Sequence, residues 1–539
     1  MARSLLFVSV LLMGTAVWAG TDLTGFNVRD HGAMGDGTAK DTAAAQKAID
    51  ACAGQGGGTV LFPAGIYLCG SIHLRSNVTL RLEAGATILG SKDTTDYDKI
   101  EKLDFKNASD AETSFFHHAL IWGENVERIA IVGEGVIDCN RDRRHGPKAI
   151  ALKRCKHADI KGVRLQNCPN YNISLLGTDF VNIDGVTILN GHADGIDPDS
   201  CRNVRIANCH IESWDDAIVP KSSFSLGERR SCENITVTNC YLATGCNAFK
   251  LGTESGGDFK RITVSNCVME GLPGDRPALG GVALESVDGA NVDGVAVSNL
   301  SMHNVSTPVF IRLGNRGRDM VTPVPGSLRN VVIDNIVATD ASNTCTITGI
   351  PGARVNGVSL SNIRVRFKGG CAWRPADEAV PECEAEYPDS DMFAALPAYG
   401  MYIRHTDNLA LRNVQLLFDD GFWRITTRKE RDVEWPADGG TPTPSAPGQP
   451  GPALVCDDVT GLSVDMLQTR AAPEGGPVLR FVNVRDALLR GSFAPEGTKT
   501  FLEVTGESAK GIHLIGNVLN GAEKAVAVSG ANEKDVIVH

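Results

Sequence analysis

Val204-Arg-Ile-Ala-Asn208-Cys209 alternates apolar and polar side chains and closes on an asparagine. The phrase recurs along the chain. Copies are Val163-Arg-Leu-Gln-Asn167-Cys168, Val186-Thr-Ile-Leu-Asn190-Gly191, Ile235-Thr-Val-Thr-Asn239-Cys240 and Ile262-Thr-Val-Ser-Asn266-Cys267. Val295-Ala-Val-Ser-Asn299, Val331-Val-Ile-Asp-Asn335 and Val358-Ser-Leu-Ser-Asn362 continue it. Apolar residues two apart mark strands with one buried face. The copies lie 18 to 36 residues apart. Propeller blades of about 40–45 residues have a longer, steadier period. A parallel β-helix accounts for the pattern: each coil adds short strands that stack on the next, and loops of any length leave the coil. The closing asparagines are expected to form a side-chain ladder in the turns.

Residues outside the repeat fit that solenoid. Residues 41–53 are alanine-rich, with Ala45, Ala48, Ile49 and Cys52 on one face. This predicts a short amphipathic helix capping the first coil, with Asp41 as N-cap and Gly54 as its stop. Strand-like runs follow at 59–62 and 78–82. Residues 1–19 read as a secretory signal: Arg3, an apolar core from Leu5 to Val17, and small-residue cleavage after Ala19. That core is too short to span a bilayer. The expected organisation is a signal over 1–19, a catalytic β-helix over 20–437, a Pro/Gly-rich loop over 438–452, and further coils or a small β region over 453–539. An insertion at 369–397 also interrupts the repeat. The protein is expected to be secreted or periplasmic, monomeric, and off the membrane once the signal is cleaved.

The formal net charge of −12 argues against a nucleic-acid partner. The chain has 15 cysteines. Cys168, Cys209, Cys240 and Cys267 follow the repeat asparagines, which predicts a stack of small buried side chains inside the coil. Cys371 and Cys383 are the candidate disulfide. No Cys/His spacing suits zinc, and neither metal nor cofactor is expected.

The acidic residues carry the chemistry. Asp194, within His192-Ala-Asp194-Gly-Ile-Asp197, lies 21 positions before Asp215 of Trp214-Asp215-Asp216. Stacked coils bring residues one turn apart to about 4.7–4.9 Å in the pairing direction. Three carboxylates would then share one surface, and clustered acids suit acid/base hydrolysis of a glycosidic bond. Asp199 reads as turn chemistry.

These residues resemble family 28 of the glycoside hydrolases, the pectin-active polygalacturonase family of right-handed parallel β-helices. The opening Phe26-Asn-Val-Arg-Asp30-His-Gly-Ala-Met-Gly-Asp36-Gly is similar to the entry motif of pectin-active β-helices. His192-Ala-Asp194-Gly195-Ile-Asp197 matches the family's Asn-Thr-Asp-Gly-Xaa-Asp, and Asp215-Asp216 its aspartate pair, followed by Lys221. The resemblance implies an inverting hydrolase. Asp215 would be the general acid, with Asp194 and Asp216 holding and deprotonating the attacking water. Two motifs depart. The family's Gly-His-Gly falls at Cys246-Asn247-Ala248, so Asn247 replaces a histidine. Its Arg-Ile-Lys falls at Ala283-Leu284-Glu285. The substrate-carboxylate ligands are thus absent, and a glutamate would repel a uronate. A neutral or deoxy sugar at the cleaved position fits better, as in rhamnogalacturonan or decorated pectin.

Other expected substrate contacts are Lys221, Lys250, Glu254, Asp197, Glu285 and Arg312, with Trp214 as a stacking platform. Tyr387, Phe393, Tyr399 and Trp373 wall off subsites if the insertion arches over the groove. The competing readings are a calcium-dependent lyase on the same fold and a non-catalytic glycan-binding β-helix.

Overall fold

A computed structural model describes residues 25–274, 276–368, 374, 378–419, 451–471 and 476–539. The signal, Cys371, Trp373 and most of the 438–452 loop lie outside these residues. So does the Cys371–Cys383 pairing.

The chain folds as a right-handed parallel β-helix. Strand Arg202–Ala207 pairs in parallel with Asp179–Asp184 on one side and Cys232–Thr238 on the other. The register sets Val181, Val204 and Ile235 in one column. The column runs on through Ile262, Val295, Val331, Val358, Leu409, Leu462, Ala487 and Ile512. All of these side chains are buried. Burying each valine, leucine or isoleucine contributes about 1.5–3 kcal/mol, so the apolar column holds the coils together. Strand Met401–Phe418 pairs in parallel with Leu454–Asp465, so the coils continue past the Pro/Gly-rich stretch.

The asparagine ladder is present, and it shows why asparagine is used. Asn167, Asn208, Asn239, Asn266, Asn299 and Asn335 all turn the chain with φ between 54° and 58°. Asparagine tolerates this left-handed conformation better than other residues with a Cβ. The side chains then bond along the stack. Asn239 donates to Asn208 at 2.6 Å, Asn299 to Asn266 at 3.0 Å and Asn335 to Asn299 at 2.7 Å. Cys168, Cys209, Cys240 and Cys267 are buried in the core beside the turns, as the repeat predicts.

The capping helix spans Thr42–Gly54 and buries Ala45, Ala48, Ile49 and Cys52. Its ends differ from expectation. Asp41 makes no side-chain cap. Its carboxylate instead accepts the amides of Met34 (2.7 Å) and Gly35 (2.9 Å), tying the entry loop to the helix. Gly54 belongs to the last turn, and the left-handed exit falls at Gly56, φ 94°.

A second face of the coil carries the site. Ile72–His73, Ala119–Glu124, Lys148–Lys153, Ile173–Leu176 and Ile196–Asp199 form its first part. Bridges Ile196↔Ile218 and Ile218↔Phe249 extend it to Asn247–Leu251, which pairs with Ala278–Ser286 and then Val305–Leu313. The described part of the insertion lies on this face. Val380, Met392, Phe393 and Leu396 pack against Ala283, Phe310, Tyr402 and Val455.

Candidate active site

The stacking places Asp194 and Asp216, not Asp215, as register partners. The Gly195 amide donates to the Asp216 carbonyl at 2.9 Å, and the Ala217 amide to that of Asn247 at 2.9 Å. One line of positions therefore runs Asp194, Asp216, Asn247 across three coils. Asp215 precedes this line by one residue, and its side chain is 26% exposed. The three acids share one face, as the sequence spacing predicts.

Each acid has a different set of partners. Lys221 Nζ lies 2.8 Å from Asp194 and 2.8 Å from Asp197. It also donates to the Tyr171 hydroxyl at 3.0 Å. One buried cation thus serves two buried carboxyls. Burial pushes Asp194 well above the usual carboxylate range, Lys221 offsets part of this, and the neighbouring acids add to it. Asp197 is raised for the same first reason. Asp216 accepts from the Asn247 amide (2.9 Å) and side chain (2.8 Å), with Lys250 at 3.4 Å from its other oxygen. Asn247 thus donates twice to one oxygen of this carboxylate.

Asp215 is held differently. Burial raises its proton affinity, but Arg144, Lys250 and Lys221 together more than cancel this, and the group falls below the usual value. Arg144 Nη1 contacts Asp215, while its other nitrogens hold Glu112 at 2.6 and 3.4 Å. The sequence reading missed Arg144 and Glu112. Neither belongs to the repeat, and nothing in the spacing of residues 139–147 places that loop over the acids.

The expected substrate contacts divide into surface and support. Trp214 is 48% exposed, with the Arg276 guanidinium 4.9 Å from its ring centroid, so it offers a stacking face. Lys221, Lys250, Asp197 and Asn247 are buried and act on the carboxyls. Three expectations need correction. Arg312 is buried and donates to the carbonyls of Gly349, Glu382 and Cys383. It pins the insertion and does not reach a sugar. Arg316 is likewise committed, to Asp288 and the Thr253 carbonyl. Glu254 is buried against Arg318 at 3.1 Å.

Glu285 needs correction as well. It is 0% exposed, and among the described residues neither of its oxygens has a hydrogen-bond partner. Lys250 stands 3.9 Å away. Burial raises Glu285 well above the usual range, with Lys250 offsetting part of this. Buried there, it does not face a uronate. What survives of the sequence argument is the loss of cations, since Ala283 lies under the insertion. Asp199 is structural: it accepts from the Ser223 amide at 2.8 Å and Ser200 Oγ at 2.9 Å, and burial lifts it to about 6.

Ligand atoms of Asp215, Asp216 and Cys246 lie within 4.8 Å of one another. Calcium takes six to eight oxygen ligands. Here one of three donors is a thiol, and both carboxylates already face cations or amides, so the set does not fit that ion.

A parallel β-helix with three acids clustered on one open face defines a class of repeat proteins suited to acid/base work on glycans. The chain belongs to one family within it, glycosyl hydrolases family 28, whose model matches residues 52–378. It is 33% identical over 214 residues to a probable polygalacturonase of Vitis vinifera, covering 36% of this chain and 44% of that one. It is 25% identical over 400 residues to an exo-poly-alpha-D-galacturonosidase of Dickeya chrysanthemi, covering 60% and 64%. These two matches thus span less than two thirds of either relative. An exopolygalacturonase from Thermotoga maritima shares the fold, with TM-score 0.56 and 21% identity over 71% of this chain and 91% of that one. Among the described residues no helix is long and apolar enough to cross a membrane.

Proposed function

We propose that the protein is a secreted or periplasmic glycoside hydrolase that cleaves a pectin-type polysaccharide or oligosaccharide with inversion. The observation that carries this reading is the three-coil line of Asp194, Asp216 and Asn247 with Asp215 beside it. Asp215 gives its proton to the glycosidic oxygen as the bond to the anomeric carbon breaks. A water attacks that carbon from the opposite face. Asp216, oriented through one oxygen by Asn247, takes the proton the water loses. Asp194, held in place by Lys221, fixes the water's other side.

The sugar at the cleaved position is neutral or deoxy, as in rhamnogalacturonan or decorated pectin. The supporting observation is the missing cation pair: Ala283 is covered, Glu285 is buried, and Lys250 lies against Asp216. The test is a comparison of initial rates on homogalacturonan, rhamnogalacturonan and neutral pectic oligosaccharides. The reading expects homogalacturonan to be poorest. Fastest turnover of homogalacturonan removes the substrate assignment, and no turnover of any removes the hydrolase.

A further inference from the structure

We propose that Arg144 is a substrate-carboxylate ligand, parked on Asp215 and transferred to a uronate when the glycan binds. This rests on the hydrolase reading and deepens it. Arg144 reaches Asp215 from the coils on the N-terminal side of the acids. Its side chain is 39% exposed, against 10% for Arg316. Arg312 and Arg316 end on backbone carbonyls or a buried aspartate. Arg144 instead spans two carboxylates, anchored on Glu112 and open on the Asp215 side.

A guanidinium fork matches a planar carboxylate. The Arg144–Asp215 pair is part-buried, so the exchange is balanced by the new Arg144–uronate pair and by proton uptake on Asp215, which leaves no unpaired buried charge. The exchange has a chemical consequence. The charged and titratable groups around Asp215 are Arg144, Lys250, Lys221, Asp194, Asp216 and Cys246. Removing the Arg144 contact takes away one of the cations acting on Asp215, leaving burial and two neighbouring aspartates to favour its protonated form against Lys250 and Lys221 alone. Binding an acidic sugar thus arms the general acid. A neutral sugar leaves Arg144 in place and the acid discharged.

The two sides of the acids then differ. Arg144 offers a part-exposed cation on one side; towards Ala283 and Glu285, Lys250 is buried and committed to Asp216. That asymmetry suits a chain in which uronic and neutral sugars alternate.

The experiment uses Arg144→Gln, with Arg144→Lys as the charge-retaining control. Both are assayed on an alternating uronate-containing oligosaccharide and its carboxyl-reduced counterpart. The expected result is a tenfold or greater rise in KM for the acidic substrate with Arg144→Gln, partial recovery with Arg144→Lys, and little change in KM for the reduced one. In the wild type the alkaline limb of kcat, set by the general acid, lies at higher pH than that of kcat/KM, and Arg144→Gln closes the gap. Equal KM changes on both substrates, or none, overturn the proposal. If the wild type cleaves neither, the hydrolase reading fails by itself. Calorimetric Kd values for the same two glycans then decide the ligand role, by whether Arg144→Gln selectively weakens the acidic one.

Discussion

Asp194 and Asp216 occupy the same position on consecutive coils, with Gly195 donating to the Asp216 carbonyl at 2.9 Å. That one hydrogen bond fixes the distance between two acids by backbone pairing, not by side-chain packing. It also leaves Asp215, one residue earlier, on the exposed edge of the line.

Asp215→Asn is therefore expected to abolish most activity while leaving the fold intact. Its Oδ2 partner is the half-exposed Arg144, and the Asp215 carbonyl that accepts from Ser213 Oγ at 2.8 Å is unchanged by the substitution. A general acid contributes about 100-fold to 10,000-fold. The measurement is kcat on a pectic oligosaccharide, with melting temperature as the fold control. A variant as active as the wild type ends the assignment.

Glu285 makes a prediction about pH. Its carboxyl titrates higher in the fold than in the unfolded chain, chiefly through burial. As pH rises past the ordinary carboxylate value, the unfolded chain ionises first and gains stability relative to the fold. The loss of stability grows until the pH reaches the raised folded value. Glu285→Gln removes it. The melting temperature of the variant should gain steadily on that of the wild type as pH rises above about 4, the value of an ordinary glutamate. A difference that stays flat across this range shows that Glu285 is not held protonated.

The repeat was legible because the strand period, the closing asparagine and the small cysteine after it are local. So was the clustering of Asp194 with Asp215 and Asp216, since one coil's length sets it. The partners were not. Arg144 lies in a loop outside the period, and only the folded chain brings it to an acid 71 residues later. Glu285 and Arg312 were misplaced for the opposite reason. They sit on the correct face, as partners in adjacent strands, but the insertion covers that part of it. A strand pattern tells which side a residue faces, not what lies on top.

The insertion also predicts the mode of attack. The Tyr387 ring centroid is 5.5 Å from Lys250 Nζ, and Ser390 Oγ donates to the Leu279 carbonyl at 3.3 Å. The groove is thus walled one coil beyond Asp216. A polymer that cannot pass this wall is expected to be trimmed from an end. Viscosity should fall slowly relative to the release of reducing ends. A rapid viscosity drop at low conversion indicates internal cleavage and an open groove.

Asn299 tests what the ladder contributes. It donates to Asn266 at 3.0 Å, accepts from Asn335 at 2.7 Å, and turns the chain at φ 56°. Two effects are combined there, and two substitutions separate them. Asn299→Gly loses both side-chain bonds but keeps easy access to the left-handed turn. Asn299→Ala loses the same bonds and adds the cost of a Cβ in that conformation, about 1–2 kcal/mol. The bonds themselves are solvent-exposed, so each contributes at the low end of about 0.5–1.5 kcal/mol. Glycine's greater freedom in the unfolded chain narrows the gap between the variants by about 0.4–1 kcal/mol. Alanine is still expected to be the worse of the two, with a lower urea midpoint. If the two midpoints coincide, the asparagines are there for their side-chain bonds, and the turn would accept any small residue.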